Sequence, residues 1–192
     1  MKLVSIIIPT MGNRPAGVDR CVNSISNLNY PSEFIETIII VDNPRMGVSK
    51  RVNEGFVKSK GEFIVFAADD IEFTPNSLKL AVEAMNEYDL VSFNTGRVLP
   101  DEGNICEQFI IKRDFVNKYL GGKIFDEEFN HVGTDNLLWA QGKKYGKVKR
   151  LDTAILIHHH WTKGAPMDET YRIGWGKVNE DREILKRKLN EL

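Results

Sequence analysis

The stretch Gly61-Glu62-Phe63-Ile64-Val65-Phe66-Ala67-Ala68-Asp69-Asp70 decides the fold class of this 192-residue sequence. A continuous apolar run that ends on carboxylates is typical of a parallel strand buried on both faces, with its polar residues at the carboxyl edge of the sheet. Three similar runs, Leu3 to Ile8, Ile35 to Val41 and Leu90 to Phe93, alternate with amphipathic stretches. The sequence therefore predicts an α/β fold with a mostly parallel central sheet flanked by helices.

Apolar residues recur at helical spacing between these runs, from Val18 to Leu28 and from Val48 to Val57. A third helix is predicted to begin at Thr74-Pro75, with Thr74 as its N-cap, because threonine caps helices and proline fits the first helical turn. The first half of the chain is thus predicted as β-α-β-α-β-α-β.

The second half breaks this alternation. Residues 97–99 and 106–111 flank the turn Pro100-Asp101-Glu102-Gly103 and predict a hairpin, which adds a small antiparallel edge to the sheet. The tail, residues 177–192, has one apolar stripe and predicts a helix docked on the domain, with a homodimer contact as the second alternative. A membrane surface is the third, because the charges of the tail are mixed and not predominantly basic. Shorter elements are predicted as helices over 113–120 and 134–144 and as strands over 148–151 and 154–158.

Composition limits the remaining choices. A length of 192 residues predicts one domain. With 26 basic and 27 acidic residues the net charge is -1, so no overall field attracts a polyanion. Cys21 and Cys106 are too few for a disulfide framework and suit a reducing cytosol, although a single bridge between them is the alternative. No window approaches the roughly 20 apolar residues of a membrane span, so the protein is predicted to be soluble or held at a membrane by something other than a span. With the cysteine usage, a cytoplasmic location is expected.

Polar side chains follow the first three predicted strands, where a parallel sheet collects its ligands. Adjacent carboxylates at such a strand end suit an oxygen-ligated Mg²⁺ or Mn²⁺ that carries a diphosphate. Neither a Walker A motif nor GxGxxG occurs, so a glycine-rich phosphate loop is not expected. These strand-end residues are Pro9, Thr10, Asn13, Arg14, Asp42, Asn43, Asp69 and Asp70.

Five successive motifs resemble those of the GT-A fold glycosyltransferases of family two, and the resemblance covers roughly residues 3 to 160. It implies one Rossmann-like GT-A domain with a nucleotide-sugar-binding half (1–94), an acceptor and catalytic half (95–164) and a helical tail (165–192). The motifs are residues 4–10, residues 38–43, Gly47 with Asn53 and Gly55, residues 61–70, and the later series 125–129, 133–138 and 157–158.

The resemblance implies a role for each matching position on the donor side. Thr10 and Asp42 would contact the base and ribose of a nucleotide-sugar donor, most often a UDP-sugar. Asp69 would face the ribose or the donor sugar, and Asp70 would hold Mn²⁺ or Mg²⁺ against the diphosphate. Ala68 departs from the family, because it stands where the first aspartate of the DxD motif usually does. The donor-binding residues are predicted to be Pro9, Thr10, Arg14, Asp42, Asn43, Lys50, Asn53 and Asp69.

On the acceptor side, the resemblance implies that Asp135 is the catalytic base, which takes the proton from an acceptor hydroxyl as it attacks the anomeric carbon with inversion. Thr134 stands where the family usually has a glutamate. His158 is the best match to the histidine that completes the metal site in the family, and His160 is second. Because alternate strand residues share a face, His159 should point the other way.

Several neighbouring residues have two interpretations. Lys50 and Arg51 are either diphosphate contacts or, as the favoured alternative, part of a solvated helix face. Trp139 and Trp175 are predicted in the core rather than as sugar-stacking platforms. Residues 161–164 would suit a flexible loop that closes over donor phosphates.

A glycosyltransferase is the leading prediction, and the sequence does not identify its hydroxyl-bearing acceptor. One alternative is a non-catalytic nucleotide-sugar-binding protein of the same fold, motivated by Ala68 and Thr134. Another is a sugar-1-phosphate nucleotidyltransferase, but Met11-Gly12-Asn13-Arg14 is too short for the glycine-rich loop that such enzymes need.

Overall fold

The computed structural model describes residues 1–96 and 105–192. Within these ranges the strands form one seven-stranded sheet of order β2-β1-β3-β6-β5-β7-β4. The strands are β1 (Val4–Thr10), β2 (Ile35–Val41), β3 (Phe63–Phe66), β4 (Ile71–Phe73), β5 (Leu90–Asn94), β6 (Phe109–Lys112) and β7 (Val148–His158). The helices are α1 (Pro15–Ser26), α2 (Val48–Lys58), α3 (Ser77–Ala84), α4 (Arg113–Tyr119), α5 (Thr134–Tyr145), α6 (Glu169–Trp175) and α7 (Val178–Glu191).

The parallel half of the sheet confirms the predicted fold class. Strand β1 pairs in parallel with β2 and β3, and β5 pairs in parallel with β7. The antiparallel part differs from the prediction, because β6 lies inside the sheet, between β3 and β5, and not at its edge. Phe109, Ile110 and Ile111 of β6 are fully buried, as a central strand requires. The antiparallel edge strand is β4, a three-residue strand that pairs with β7.

Several predicted elements need correction. Helix α3 begins at Ser77, so Thr74 is not its N-cap, and the Thr74 hydroxyl donates to the Ile155 carbonyl 2.8 Å away. The two short strands predicted over 148–158 are one strand, β7. The first arm of the predicted hairpin and its turn fall on residues 97–104 and lie outside the described residues.

Two hydrophobic clusters cover the faces of the sheet. Ile6 and Ile8 of β1 belong to the cluster that contains α1 and α3, and Ile7 belongs to the cluster with α2, α4 and α5. This division follows from the alternation of side chains along a strand. Cys21 lies in the first cluster and Cys106 in the second, and both are buried free thiols, so the alternative of a bridge between them is wrong.

Helix α7 packs against α5, as predicted for a tail docked on the domain. Its Asp181 is fully buried, and its Leu189 is exposed. In the described ranges, 1–96 and 105–192, no helix combines the length and the apolar character that crossing a lipid bilayer would require.

Candidate active site

A cavity of about 830 Å³ opens beside the carboxyl ends of the parallel strands β1, β2 and β3. The start of α5, the end of β7 and helix α6 form its other walls. Asn43 and Asn53 are absent from its described lining. The predicted residues that line it are Pro9, Thr10, Arg14, Asp42, Lys50, Asp69, Asp70, Asp135, His158 and His160.

The acidic pair lies at the centre of a buried polar network. The Thr10 hydroxyl donates to Asp69 Oδ2 over 2.8 Å, and Arg14 Nη1 donates to Asp69 Oδ1 over 2.9 Å. On Asp70, Oδ2 accepts from Arg14 Nη1 at 3.2 Å and from the Tyr171 hydroxyl. Asp70 Oδ1 lies 3.3 Å from His158 Nε2, a contact that does not have hydrogen-bond geometry, so Oδ1 is buried without a hydrogen bond.

The two carboxyl groups titrate differently. Burial raises the pKa of Asp69, because it outweighs the contacts with Thr10 and Arg14. Burial acts in the same direction on Asp70, but His158, Tyr171 and Arg14 together outweigh it and lower the pKa of Asp70 to about 2. Asp70 is therefore a carboxylate at neutral pH, in the charge state that binds a cation.

Arg14 is held by residues at the start of α6, a helix that sequence analysis did not predict. The carboxylate of Asp168 accepts hydrogen bonds from Arg14 Nε at 2.5 Å and from Arg14 Nη2 at 2.8 Å. The guanidinium carbon of Arg14 lies 4.3 Å from the centre of the Tyr171 ring. Asp168 is also the N-cap of α6, where it accepts from the Tyr171 backbone N–H. An N-cap aspartate just before this short helix is the signal that could have revealed α6.

Asp42, after β2, is oriented by its own loop and by α2. It accepts from the backbone N–H groups of Met46 at 2.6 Å and Gly47 at 3.1 Å, and from Arg51 Nε at 2.8 Å. Burial would raise the pKa of Asp42, but these donors outweigh it and lower the pKa. Arg51 is buried, so it does not belong to a solvated helix face. Its ion pair with Asp42 orients that carboxylate. Lys50, in contrast, is exposed.

Asn53 has a supporting position rather than a place in the cavity wall. Its amide nitrogen donates to the Phe125 carbonyl at 2.8 Å and to Glu127 Oε1 at 3.0 Å, and its oxygen accepts from the Phe125 N–H at 3.1 Å. Asn53 thereby fixes the segment that leads to α5.

Asp135 lies in the first turn of α5 and is half-buried in the cavity wall. Asp181 of α7 holds the loop before it by accepting from the backbone N–H groups of Asn130, His131 and Val132 at 2.7–2.8 Å. The loop that leads to Asp135 is thus fixed from a helix about 50 residues further along the chain.

The three histidines alternate as predicted. His158 and His160 line the cavity with ring centres 5.0 Å apart, and His159 Nε2 lies 3.0 Å from Glu72 on the other side. His158 Nδ1 is buried without a hydrogen bond and lies 3.9 Å from Glu107 Oε2.

The tryptophans divide between core and cavity. Trp139 is buried, as predicted, but Trp175 is 43% exposed and lines the cavity, so its predicted core position is wrong. Trp175 packs edge-on against Trp161. Residues 161–163 form a 3-10 turn in which the Lys163 ammonium donates to the Thr95 carbonyl.

The mostly parallel sheet flanked by helices matches the GT-A fold of solved glycosyltransferase structures. The model of the family "Glycosyl transferase family 2" matches residues 37–134, just over half of the chain. The chain therefore belongs to glycosyl transferase family 2.

Solved structures share this fold at low sequence identity. The mannosyltransferase PcManGT from Pyrobaculum calidifontis, in complex with GDP-Man and Mn²⁺, superposes with a TM-score of 0.70 at 15% identity, over 94% of this chain and 65% of its own. S. aureus TarS 1-349 in complex with UDP-GlcNAc gives a TM-score of 0.65 at 16% identity, over 88% of this chain and 63% of its own. The chain thus spans less than two thirds of these structures. A sequence comparison with curated proteins gives no match.

Proposed function

We propose that this protein transfers a sugar from a nucleoside-diphosphate sugar to an acceptor hydroxyl, with inversion at the anomeric carbon. One observation carries the proposal: a single cavity is lined by the strand-end residues Thr10, Asp42 and Asp70 and, on another wall, by Asp135. This arrangement offers a place for a donor beside one for an acceptor. The structures in complex with GDP-Man and with UDP-GlcNAc support a nucleotide-sugar donor. Of the two, we favour a UDP-sugar, on the resemblance of the motifs.

The nucleotide would lie along the strand ends, in the half of the domain formed by residues 1–94. Asp42 is ionised and fixed by Arg51, so it can accept hydrogen bonds from a ribose or a base. Thr10 and Asp69 are joined to each other and border the same part of the cavity, and exposed Lys50 can approach a phosphate. Residues 95–164 would supply the acceptor side.

Charge at the acidic pair argues for a divalent cation. Three carboxylates, Asp69, Asp70 and Asp168, surround the single guanidinium of Arg14, which gives this region a net negative charge. A diphosphate is itself an anion, so it would be repelled here without an additional positive charge. A bound Mn²⁺ or Mg²⁺ would supply that charge and stabilise the departing nucleoside diphosphate.

The residues present fit such a cation in part. Asp70 Oδ1 is a buried oxygen without a hydrogen bond, and His158 Nε2 lies 3.3 Å from it, so one carboxylate and one imidazole are available as ligands. His160 is the second candidate imidazole. Among the described residues no group of three acidic, histidine or cysteine side chains could hold a metal. Two protein ligands suffice when substrate phosphates and water complete the shell, as is usual for Mg²⁺.

Asp135 is the proposed base. An acceptor hydroxyl is a weak nucleophile, and a positioned carboxylate that removes its proton accelerates attack by typically 10²–10⁴-fold. The loop held by Asp181 fixes the first turn of α5, which keeps the carboxylate at the cavity wall.

A thermal-shift series tests donor binding. UDP-sugars and GDP-sugars are added with and without Mn²⁺, and we expect a donor-specific rise in melting temperature that requires the metal. Asp70→Asn should abolish the rise, whereas Asp114→Asn, at the start of α4 and outside the cavity lining, should preserve it. The absence of nucleotide binding under all conditions would contradict the proposal.

Release of the nucleoside diphosphate tests catalysis separately. Asp135→Asn should keep metal-dependent donor binding and lose at least about 100-fold in transfer rate. Donor binding without transfer to any acceptor in a broad screen would favour the non-catalytic alternative. The nucleotidyltransferase alternative is not supported, since only four residues separate β1 from α1.

A further inference from the structure

A positively charged surface lies where α5 ends and β7 begins. Residues 143–150, Lys-Lys-Tyr-Gly-Lys-Val-Lys-Arg, contain five basic residues and no acidic one. The end of α4 lies beside this segment, since the ring of Tyr119 on α4 stacks on that of Tyr145. The overall net charge of -1 conceals this local excess. We call the group formed by Lys118, Tyr119, Lys144, Tyr145 and Lys147 the basic tyrosine surface.

The two tyrosines are held in a defined arrangement and reach solvent. Their ring centres are 5.8 Å apart with planes 4° from parallel, and Tyr119 also contacts the buried ring of Phe115. Tyr119 is 40% exposed and Tyr145 is 38% exposed. Lysine ammonium groups lie over both rings, Lys118 at 4.8 Å from the centre of Tyr119 and Lys144 at 5.4 Å from that of Tyr145.

Asp89 offsets part of the positive charge at this surface. Asp89 accepts the backbone N–H of Lys147 at 2.9 Å, but its side chain is already paired with Lys112 at 2.9 Å. Lys144, Lys147 and Lys149 are all exposed. An anionic partner would therefore meet several ammonium groups within a short segment.

We propose that the basic tyrosine surface binds the anionic headgroups of a lipid bilayer. The three lysines of this surface, with exposed Lys149 beside them, would each be attracted by anionic headgroups. Tyrosine favours the interface because its ring is apolar and its hydroxyl is polar. A single-stranded nucleic acid fits less well. Base stacking needs an open aromatic face, whereas each ring here already has the other ring and an ammonium group against it.

The surface lies away from the candidate active site. Asp135 is in the first turn of α5 and Tyr145 is its last residue, so about 15 Å of helix separates them. The cavity lining contains none of the five residues of the basic tyrosine surface. The inference therefore does not depend on the proposed transfer reaction.

Co-sedimentation of the full chain with lipid vesicles tests the proposal. At an ionic strength of about 0.15 M, we expect the protein to pellet with phosphatidylcholine vesicles containing about 30% phosphatidylglycerol, and to stay in solution with phosphatidylcholine alone. One lysine contributes about fivefold to membrane partitioning, so the double variant Lys144→Glu and Lys147→Glu should lose at least about 25-fold. Replacing Tyr119 and Tyr145 by serine should weaken binding severalfold.

A matched control changes the net charge equally at other places. Lys79 on α3 and Lys186 on α7 are exposed, and replacing both by glutamate should leave partitioning unchanged. If the control loses as much as the surface variant, or if neutral vesicles bind equally well, the proposal is wrong. Binding to a single-stranded oligonucleotide but not to anionic vesicles would also overturn it. Unchanged melting temperatures show that the variants are folded, and Lys144→Gln with Lys147→Gln replaces any variant that is not.

Discussion

The phenolic hydroxyl of Tyr171 donates a hydrogen bond to Oδ2 of Asp70. This bond joins α6, a helix that sequence analysis did not predict, to the acidic pair that follows β3. It also leaves the other oxygen, Oδ1, facing His158. Tyr171 of α6 thus helps to orient the carboxylate of Asp70, the proposed metal ligand.

Replacing Tyr171 by phenylalanine should weaken the pH dependence of stability in acid. The pKa of Asp70 is lowered from 3.8 to about 2, so its stabilising contribution, about 2 kcal/mol, is complete above about pH 4 and is lost as the pH falls toward 2. Without the Tyr171 hydroxyl the pKa of Asp70 rises, so less stability is lost over this interval. Urea unfolding of both proteins from pH 5 to pH 2 measures the difference.

Tyr30→Phe is the matched control for this prediction. The Tyr30 hydroxyl donates to the Lys2 carbonyl at 2.6 Å, a neutral acceptor. Its removal should cost about 1 kcal/mol at every pH in the series. If the two variants show the same slope between pH 4 and pH 2, Tyr171 does not support the ionised form of Asp70.

Arg51→Ala should weaken nucleotide binding by removing the ion pair that orients Asp42. Arg51 Nε holds Asp42 at 2.8 Å, and its loss leaves the carboxylate less ordered and less acidic. We expect the Kd for a nucleoside diphosphate to rise about tenfold, which corresponds to about 1.4 kcal/mol. Isothermal titration calorimetry in the presence of Mn²⁺ measures it. Lys58→Ala removes an exposed cation from the same helix and should leave the Kd unchanged.

Asp181→Asn should destabilise the protein strongly and reduce turnover. The buried carboxylate of Asp181 accepts three backbone N–H groups, and an amide would place its own donors against at least one of them. A loss of about 3 kcal/mol is expected, because buried donors remain unsatisfied. Denaturant unfolding measures this loss, and Glu183→Gln, exposed on the same helix, should change stability by less than about 0.5 kcal/mol. At a temperature where the variant is folded, a kcat equal to that of the wild type would show that Asp181 does not position Asp135.

Both cysteines should be unreactive in the folded protein. Burial, assisted by the charges of Asp69 and Asp70, raises the pKa of Cys21 to about 12, and burial raises the pKa of Cys106 well above its ordinary value. The thiolate is the reactive form, so a thiol reagent at about pH 8 should modify neither residue until urea is added. Mass spectrometry counts the modified thiols. Rapid labelling of the native protein would show that one of the clusters opens.

The parts of the fold that the sequence predicted are those determined by local pattern. The limits of β2 coincide with the prediction, and its C-terminal limit follows from local pattern, because the apolar run Ile38 to Val41 ends where Asp42 begins. Strand β4 has three residues and exists through its pairing with Leu156 to His158, more than 80 positions later, so no local pattern marks it. The place of β6 inside the sheet is likewise a matter of long-range pairing.

The same limit applies to the candidate active site. Asp69 and Asp70 could be selected from their places after a strand, and Asp135 from the resemblance of its motif to the family. The pairing of Arg14 with Asp168 joins residues 154 positions apart in the sequence, so no local spacing rule predicts it. The predicted core position of Trp175 is wrong, because an aromatic residue in a helix pattern is usually buried, whereas this side chain faces the cavity.

Helix α7 has a consequence for anyone who builds chimaeras from this family. Asp181 is bound to the loop before Asp135, and Lys188 forms ion pairs of 2.6 Å with Asp126 and 2.5 Å with Glu128. A graft that exchanges residues 125–135 alone would therefore present the recipient helix with mismatched partners. The smallest unit that could be exchanged intact is discontinuous in sequence, because it comprises residues 125–135 together with helix α7, which binds them.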